Sequence, residues 1–217
     1  MIQLERINKI YGELPKQAIA LKNVDLKIKK AEFVVIRGPS GSGKTTLLMS
    51  IGGMLQPSSG TVRINDEDIY LLNNIERSRF RALNIGFVFQ MFHLIPYLSV
   101  LENITLSTRH IKYDNANKKA YNLIEDLGLS DRINYKPSEL SAGECQRVAL
   151  GRALIHHPKI ILADEPTGNL DPENSSMVMK TFRNYHQNGG TVIIVTHGED
   201  ADPFADKTIY LKKGEIK

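Results

Sequence analysis

The chain has 217 residues, 41% hydrophobic and 24% charged, ordinary proportions for one water-soluble globular domain with a real core. Its 28 Lys and Arg against 24 Asp and Glu give a net charge of +4, too weak to argue for a nucleic-acid partner. A single cysteine, Cys145, excludes an internal disulfide and fits a reducing compartment, and the longest apolar runs fall far short of the roughly 20 residues a bilayer span needs. The N-terminal "MIQLERINKIYG" lacks the apolar core of a signal peptide. The expected location is therefore cytoplasmic, with any membrane role passing through a partner.

In chain order, residues 1–30 read as two exposed antiparallel strands around a loop at Pro15. "FVVIRG" then reads as a strand buried on both faces, and "TTLLMSIGGM" as a helix. "IGFVFQ" is a second buried strand, ending at Gln90. The stretch from about 91 to 150 carries helical patterns and few strand signals. Its "NKKAYNLIEDLGL" has apolar residues at Ala120, Leu123, Ile124 and Leu127, and "SAGECQRVALGRALIHH" has them at Val148, Ala149, Leu150, Ala153 and Leu154. "IILADE" and "TVIIVTH" are two more buried strands. Between them "DPENSSMVMKTFRNYHQNGG" predicts a helix with Asp171 as N-cap, Pro172 at its first position and a stop at Gly189-Gly190. Strand and helix alternate, so the predicted fold is α/β with a mainly parallel central sheet and an N-terminal antiparallel β subdomain. One domain, 1–217, is expected. Residues 1–90 and 151–217 would form its core and 91–150 a small helical subdomain.

Between the first buried strand and its helix lies "GPSGSGKT", which fits the phosphate-binding pattern G-x-x-x-x-G-K-[ST] in the required strand-before, helix-after context. Glycines 38, 41 and 43 let the backbone turn tightly and approach phosphates. The freed N–H groups and the helix start complement negative charge. Lys44 would reach the β- and γ-phosphates, and Thr45 would offer a hydroxyl to Mg²⁺. The candidate nucleotide-contacting set is Gly38, Pro39, Ser40, Gly41, Ser42, Gly43, Lys44, Thr45 and Thr46.

"IILADEP" delivers Asp164 and Glu165 at the end of a buried strand. Asp164 is the expected Mg²⁺ residue, with Thr45 and Gln90. Glu165 would polarise an attacking water. Gln90 and His197 also follow buried strands, and ligands of open α/β sheets gather at carboxyl ends. The predicted catalytic residues are thus Glu165, His197 and Gln90. Further on, "ELSAGECQRVALGRAL" places Ser141 and Glu144 in a capping-box pattern, which suits an ordinary helix start. Cys145 reads as a packing residue, with redox sensing as the alternative. His156 and His157 suit a helix C-terminus by charge, with metal binding as the alternative.

The P-loop, Gln90, "LSAGE", "ADEP", "NLD" and His197, in this order, resemble the ATP-binding cassette (ABC) ATPase family over essentially the whole chain. "LSAGE" is similar to that family's signature, usually LSGGQ, with Ala142 and Glu144 as departures. The methyl of Ala142 is tolerable where φ is negative. The resemblance implies a head-to-tail homodimer in which Ser141, Ala142, Gly143 and Glu144 meet the ATP held by the partner subunit. It also implies a D-loop at Gly168–Asp171 joining the two sites. Tyr11 would stack on adenine, with simple surface packing as the alternative.

Several stretches resemble one branch, the ATPases of lipoprotein-releasing (LolD-type) and macrolide-exporting (MacB-type) systems. They include "YGELPKQAIALKNVDL", "GFVFQMFHLIP" and "LADEPTGNLD". That likeness implies a peripheral subunit on the cytoplasmic face of the inner membrane. Its permease would have four membrane helices and a large extracytoplasmic domain. Phe92, Leu94 and Ile95 would receive the permease, or alternatively pack the helical subdomain. Rival expectations are a non-transporting ABC regulator of the cell-division type, a soluble nucleic-acid or translation ABC protein, and a small-molecule P-loop kinase. The last would not need "LSAGE" or "NLD".

Overall fold

The computed structural model describes residues 1–13, 15–108 and 115–217. Leu14, in the loop placed at Pro15, and residues 109–114 of the 91–150 stretch lie outside the described residues.

Two sheets organise the chain. The first has the order β2-β1-β4-β5, all antiparallel: β1 (Ile2–Tyr11), β2 (Ala18–Ile28), β4 (Ser59–Ile64) and β5 (Glu67–Asp68). The second has the order β10-β9-β3-β8-β7-β6, with β3 (Phe33–Arg37), β6 (Ile85–Phe89), β7 (Ile160–Asp164), β8 (Thr191–Thr196), β9 (Lys207–Lys212) and β10 (Glu215–Ile216). Its strands run parallel from β9 to β6, and β10 alone is antiparallel. The continuous apolar runs explain the central position of β3, β7 and β8. Residues 33–36, 161–163 and 192–195 are buried on both faces.

The helices are α1 (Lys44–Ile51), α2 (Asn74–Asn84), α3 (Val100–Thr105), α4 (Ala116–Asp126), α5 (Ala142–Leu154) and α6 (Pro172–Gln187). One core lies between the two sheets around α1, and joins Leu47, Leu48 and Ile51 to Ile2, Leu4, Ile7, Leu21 and Val24. The first two strands are therefore not simply exposed. Their period-two alternation buries one face against α1 and leaves the other to water. The second core lies on the other face of the parallel sheet, under α3, α4, α5 and α6. Ala120 and Ile124 of α4 enter it, as their spacing predicts. Asp171 caps α6 through the amides of Glu173 and Asn174, with Pro172 at the first helical position.

Because β3, β6, β7 and β8 are parallel, their carboxyl ends share one edge of the sheet. Gly38, Gln90, Glu165 and His197 each follow one of those ends.

Candidate nucleotide site

The loop from Gly38 to Gly43 turns from β3 into α1. Gly43 has φ +101°, and a Cβ there would meet the Ala20 carbonyl of β2. The residue must be glycine for both reasons. No side chain caps α1, so its leading N–H groups face the cleft without an internal partner. Ser42 Oγ is buried and has no hydrogen-bond partner. Buried polar atoms without partners are rare, and this one lies beside amides already arranged for an anion.

Lys44 is buried, and its Nζ donates to the carbonyls of Gly38 (2.7 Å) and Pro39 (3.2 Å). The nearest carboxylate oxygen is Glu165 Oε1 at 3.9 Å. A buried ammonium held by carbonyls and one distant carboxylate can turn toward phosphate oxygens at little cost.

Asp164 closes β7, and the Thr45 hydroxyl lies beside its carboxylate. Burial pushes the Asp164 carboxyl above the ordinary carboxylate range, and the Glu165 charge adds to this. The Thr45 hydroxyl and the Lys44 charge oppose it. A hydroxyl and a desolvated carboxylate side by side are a hard, oxygen-only pair that suits Mg²⁺.

Glu165 is the next residue and has a left-handed backbone, φ +46°. Its Oε2 accepts from Thr196 Oγ1 (2.9 Å) and from the His197 amide (3.2 Å). Its Oε1 lies 2.9 Å from His197 Nδ1. The carboxylate is thus held from the end of β8 and aimed into the cleft. Thr196 is a site residue that the sequence reading missed. It lies beside His197, within "VTH", but a strand-end threonine carries no signal of its own.

The cleft has a volume of about 560 Å³ and is lined by Ala20, residues 40–46, Gln90, Glu165 and His197. The P-loop and the three predicted catalytic residues therefore share one space. Gln90 Nε2 donates to Asn169 Oδ1 at 3.2 Å, and Asn169 Nδ2 approaches the Gln90 carbonyl at 3.4 Å. Asn169 was also missed, although it lies inside the "GNLD" stretch. Tyr11 is exposed, and its hydroxyl lies 3.4 Å from Thr46 Oγ1, beside the cleft.

Ser141, Ala142, Gly143 and Glu144 stand elsewhere, at the start of α5. The Ser141 Oγ accepts from the Glu144 amide (3.2 Å), and Glu144 Oε2 accepts from the Ser141 amide (2.8 Å). The capping box is real. The cap uses Ser141 as an acceptor and leaves its hydroxyl proton for an outside acceptor. Glu144 Oε1 also accepts from Arg132 Nε at 3.0 Å. The Ser141 amide, then Arg132, hold the Glu144 carboxyl below the usual range. Ala142 opens α5 with no positive φ, so its methyl is tolerated. Cys145 is buried against the Pro137 carbonyl, and burial pushes its thiol up, which suits packing.

The family model of the ABC transporter matches residues 21–168. The chain belongs to the ABC transporter ATP-binding family. ABC cassettes are ATPases that bind ATP, and this chain is one of them. It is 44% identical, over its full length and 99% of the relative, to the lipoprotein-releasing system ATP-binding protein LolD of Bacteroides thetaiotaomicron. It is 40% identical to the macrolide export ATP-binding/permease protein MacB of Hahella chejuensis, of which it spans 33%. Among solved structures, the ATP-binding cassette MJ0796 of Methanocaldococcus jannaschii, a dimer bound to ADP and Pi, superposes with a TM-score of 0.93. That match has 41% identity and covers 100% of this chain and 97% of the other. The ABC fold, with its mixed, mostly parallel sheet and antiparallel N-terminal sheet, is the one expected.

Proposed function

We propose that two copies of this chain meet head to tail around two ATP molecules and use their hydrolysis to work a membrane permease of the LolD/MacB type. One observation carries the reading. Helix α5 opens with a free Ser141 hydroxyl proton and a glycine, yet among the described residues none from α5 lines the chain's own cleft. A helix start that can take an anion, set apart from the chain's own cleft, suits a phosphate brought by another chain. The dimeric solved relative supports this pairing.

In each site Lys44 would exchange its loop carbonyls for β- and γ-phosphate oxygens. Thr45, Asp164 and Gln90 would hold Mg²⁺, which when bound neutralises phosphate charge. Glu165 would take the proton of the attacking water, with Thr196 and His197 fixing its two oxygens. Water then adds at the γ-phosphorus as its bond to the bridging oxygen breaks. Ser141 and Gly143 would close the site from across the interface. Tyr11 would stack on the base.

The permease reading is supported by the LolD and MacB relatives and by one face of the chain. Met91 and Tyr97 are strongly exposed there, whereas Leu94 packs on the second core. Nearby is a groove of about 380 Å³ lined in part by Arg81, Phe87, Phe89 and Arg152. Arg152 reaches it from the carbonyls of Phe92 and His93. Neither Arg81 nor Arg152 has a carboxylate partner among the described residues, so an acidic, amphipathic permease segment fits. No described helix is long and apolar enough to cross a membrane. A peripheral subunit on the cytoplasmic face is the consistent arrangement, with 1–217 as one cassette and 91–150 as its helical part.

The test is light scattering of Glu165→Gln with saturating ATP, where a mass of two chains is expected. A monomer would sink the composite site. Crosslinking in membranes should then recover a permease with four membrane helices and a large extracytoplasmic domain. A different permease would overturn the branch, and no membrane protein would favour a non-transporting regulator.

A further inference from the structure

We infer that Gln146 and Asn174 form an internal strut tying the start of α5 to the Glu165–Asp171 segment of the same chain, so that hydrolysis at one ATP site depends on occupancy of the other. The inference rests on the head-to-tail reading above.

Gln146 lies one turn into α5 and is fully buried. Its Nε2 donates to the Pro166 carbonyl at 2.5 Å. Pro166 directly follows Glu165, whose left-handed backbone leaves it little freedom to shift independently. The other amide atom, Gln146 Oε1, is buried without a partner. An apolar side chain of the same size would fill this space without that unsatisfied acceptor. Packing alone therefore does not account for a glutamine here. The hydrogen bond to the catalytic segment does.

Asn174 makes the second attachment. It lies in the first turn of α6, and its Oδ1 accepts from Arg147 Nη1 of α5 at 2.5 Å. Its Nδ2 donates to Asp171 Oδ2 at 2.6 Å. Its carboxamide also lies so close to Gly143 that a Cβ on that glycine would collide with it. The signature glycine, Arg147 and Asp171 thus meet on one side chain.

Neither residue lines the cleft, so both are positioning residues rather than catalytic ones. A partner's phosphate that draws in the start of α5 moves Gln146 and Arg147 with it. Gln146 passes the shift to Pro166 and so to Glu165. Asn174 passes it to Asp171. The own site is tuned by the state of the opposite one because one helix serves both.

The experiment measures ATPase rate against ATP concentration for wild type, Gln146→Met and Asn174→Ala. ATP affinity of the dilute monomer and ATP-driven dimerisation in the Glu165→Gln background are measured in parallel. Wild type should be cooperative, with a Hill coefficient rising toward two, the number of sites. Each variant should bring it toward one and lower kcat by on the order of ten- to a hundredfold, as for other displaced catalytic groups. Monomer affinity should not move, because the P-loop is untouched. Folded variants with wild-type kcat and Hill coefficient overturn the strut. So does a lower kcat with an unchanged Hill coefficient, which would assign the pair to support behind Glu165 only. If Gln146→Met does not fold, Asn174→Ala, at a half-exposed position, decides alone. A wild-type chain that shows neither cooperativity nor ATP-driven dimerisation overturns the dimer reading, and the strut falls with it.

Discussion

Glu165 and His197 meet at 2.9 Å, Oε1 to Nδ1, while Thr196 holds the other Glu165 oxygen at 2.9 Å. The Glu165 side chain is only 15% exposed, whereas the imidazole is largely exposed. On the proposed reading Glu165 is the proton acceptor and His197 its outer support. Glu165→Gln should lower kcat by roughly 10²–10⁴-fold, the usual contribution of a general base, with ATP binding retained. Thr196→Val removes one anchor and keeps the base, so it should fall between that variant and wild type. Steady-state phosphate release with nucleotide titrations checks both.

Glu144 makes a pH prediction. Its folded-state carboxyl is held below the ordinary value by the Ser141 amide and then by Arg132. For a depressed carboxyl, the stabilisation is present above the unfolded-state value and is lost as pH falls through the folded one. Glu144→Gln keeps an acceptor for the Ser141 amide but loses the charge. The wild type should therefore melt slightly higher than the variant at neutral pH. That difference should disappear in acid, below the ordinary carboxylate range. The pair is solvent-screened, so the effect is small. Melting temperatures of both proteins across pH measure it.

Gly43→Ala tests the loop. The substitution puts a side chain at φ +101° and drives its Cβ into the Ala20 carbonyl. It should cost about 1–3 kcal/mol of stability, the range for a strained backbone, and remove ATP binding. Denaturant unfolding gives the first number and nucleotide titration the second. A stable variant that still binds ATP would show that the loop has room this geometry denies it.

Much of this site was legible because its residues follow apolar runs. Four buried strands could be read from "FVVI", "GFVF", "IILA" and "VIIV", and residues lining the cleft (Ser40, Gln90, Glu165 and His197) come shortly after each run. Helix α2 was not legible, since none of its residues is buried and no apolar stripe marks it. Its Asn73–Glu76 capping box is a local signal with no periodic run behind it. The hairpin of β9 and β10 was overlooked although Lys213-Gly214 supplies two positive φ angles, the signature of a two-residue turn. Thr196, Asn169 and Gln146 act through contacts 31, 79 and 20 positions apart, and Asn174 joins its near neighbour Asp171 to Arg147, 27 positions away. No local pattern records such pairings, and only the fold brings them together.

Tyr11 gives the last prediction. Its ring is exposed at the edge of the cleft, with its hydroxyl at Thr46 and the Lys9 ammonium 5.3 Å from the ring centroid. A nucleotide base has to take the face that Lys9 leaves open. Stacking of this kind is present equally in the ground and transition states, so its loss should raise KM and spare kcat. Tyr11→Ala should raise KM for ATP by about two- to tenfold, the equivalent of ~0.5–1.5 kcal/mol for an aromatic pair. Tyr11→Phe, which keeps the ring, should stay close to wild type. Stacking reads no base edge, so GTP should be hydrolysed with a KM near that for ATP. A Tyr11→Ala chain with unchanged KM would leave Tyr11 as surface packing on Thr46.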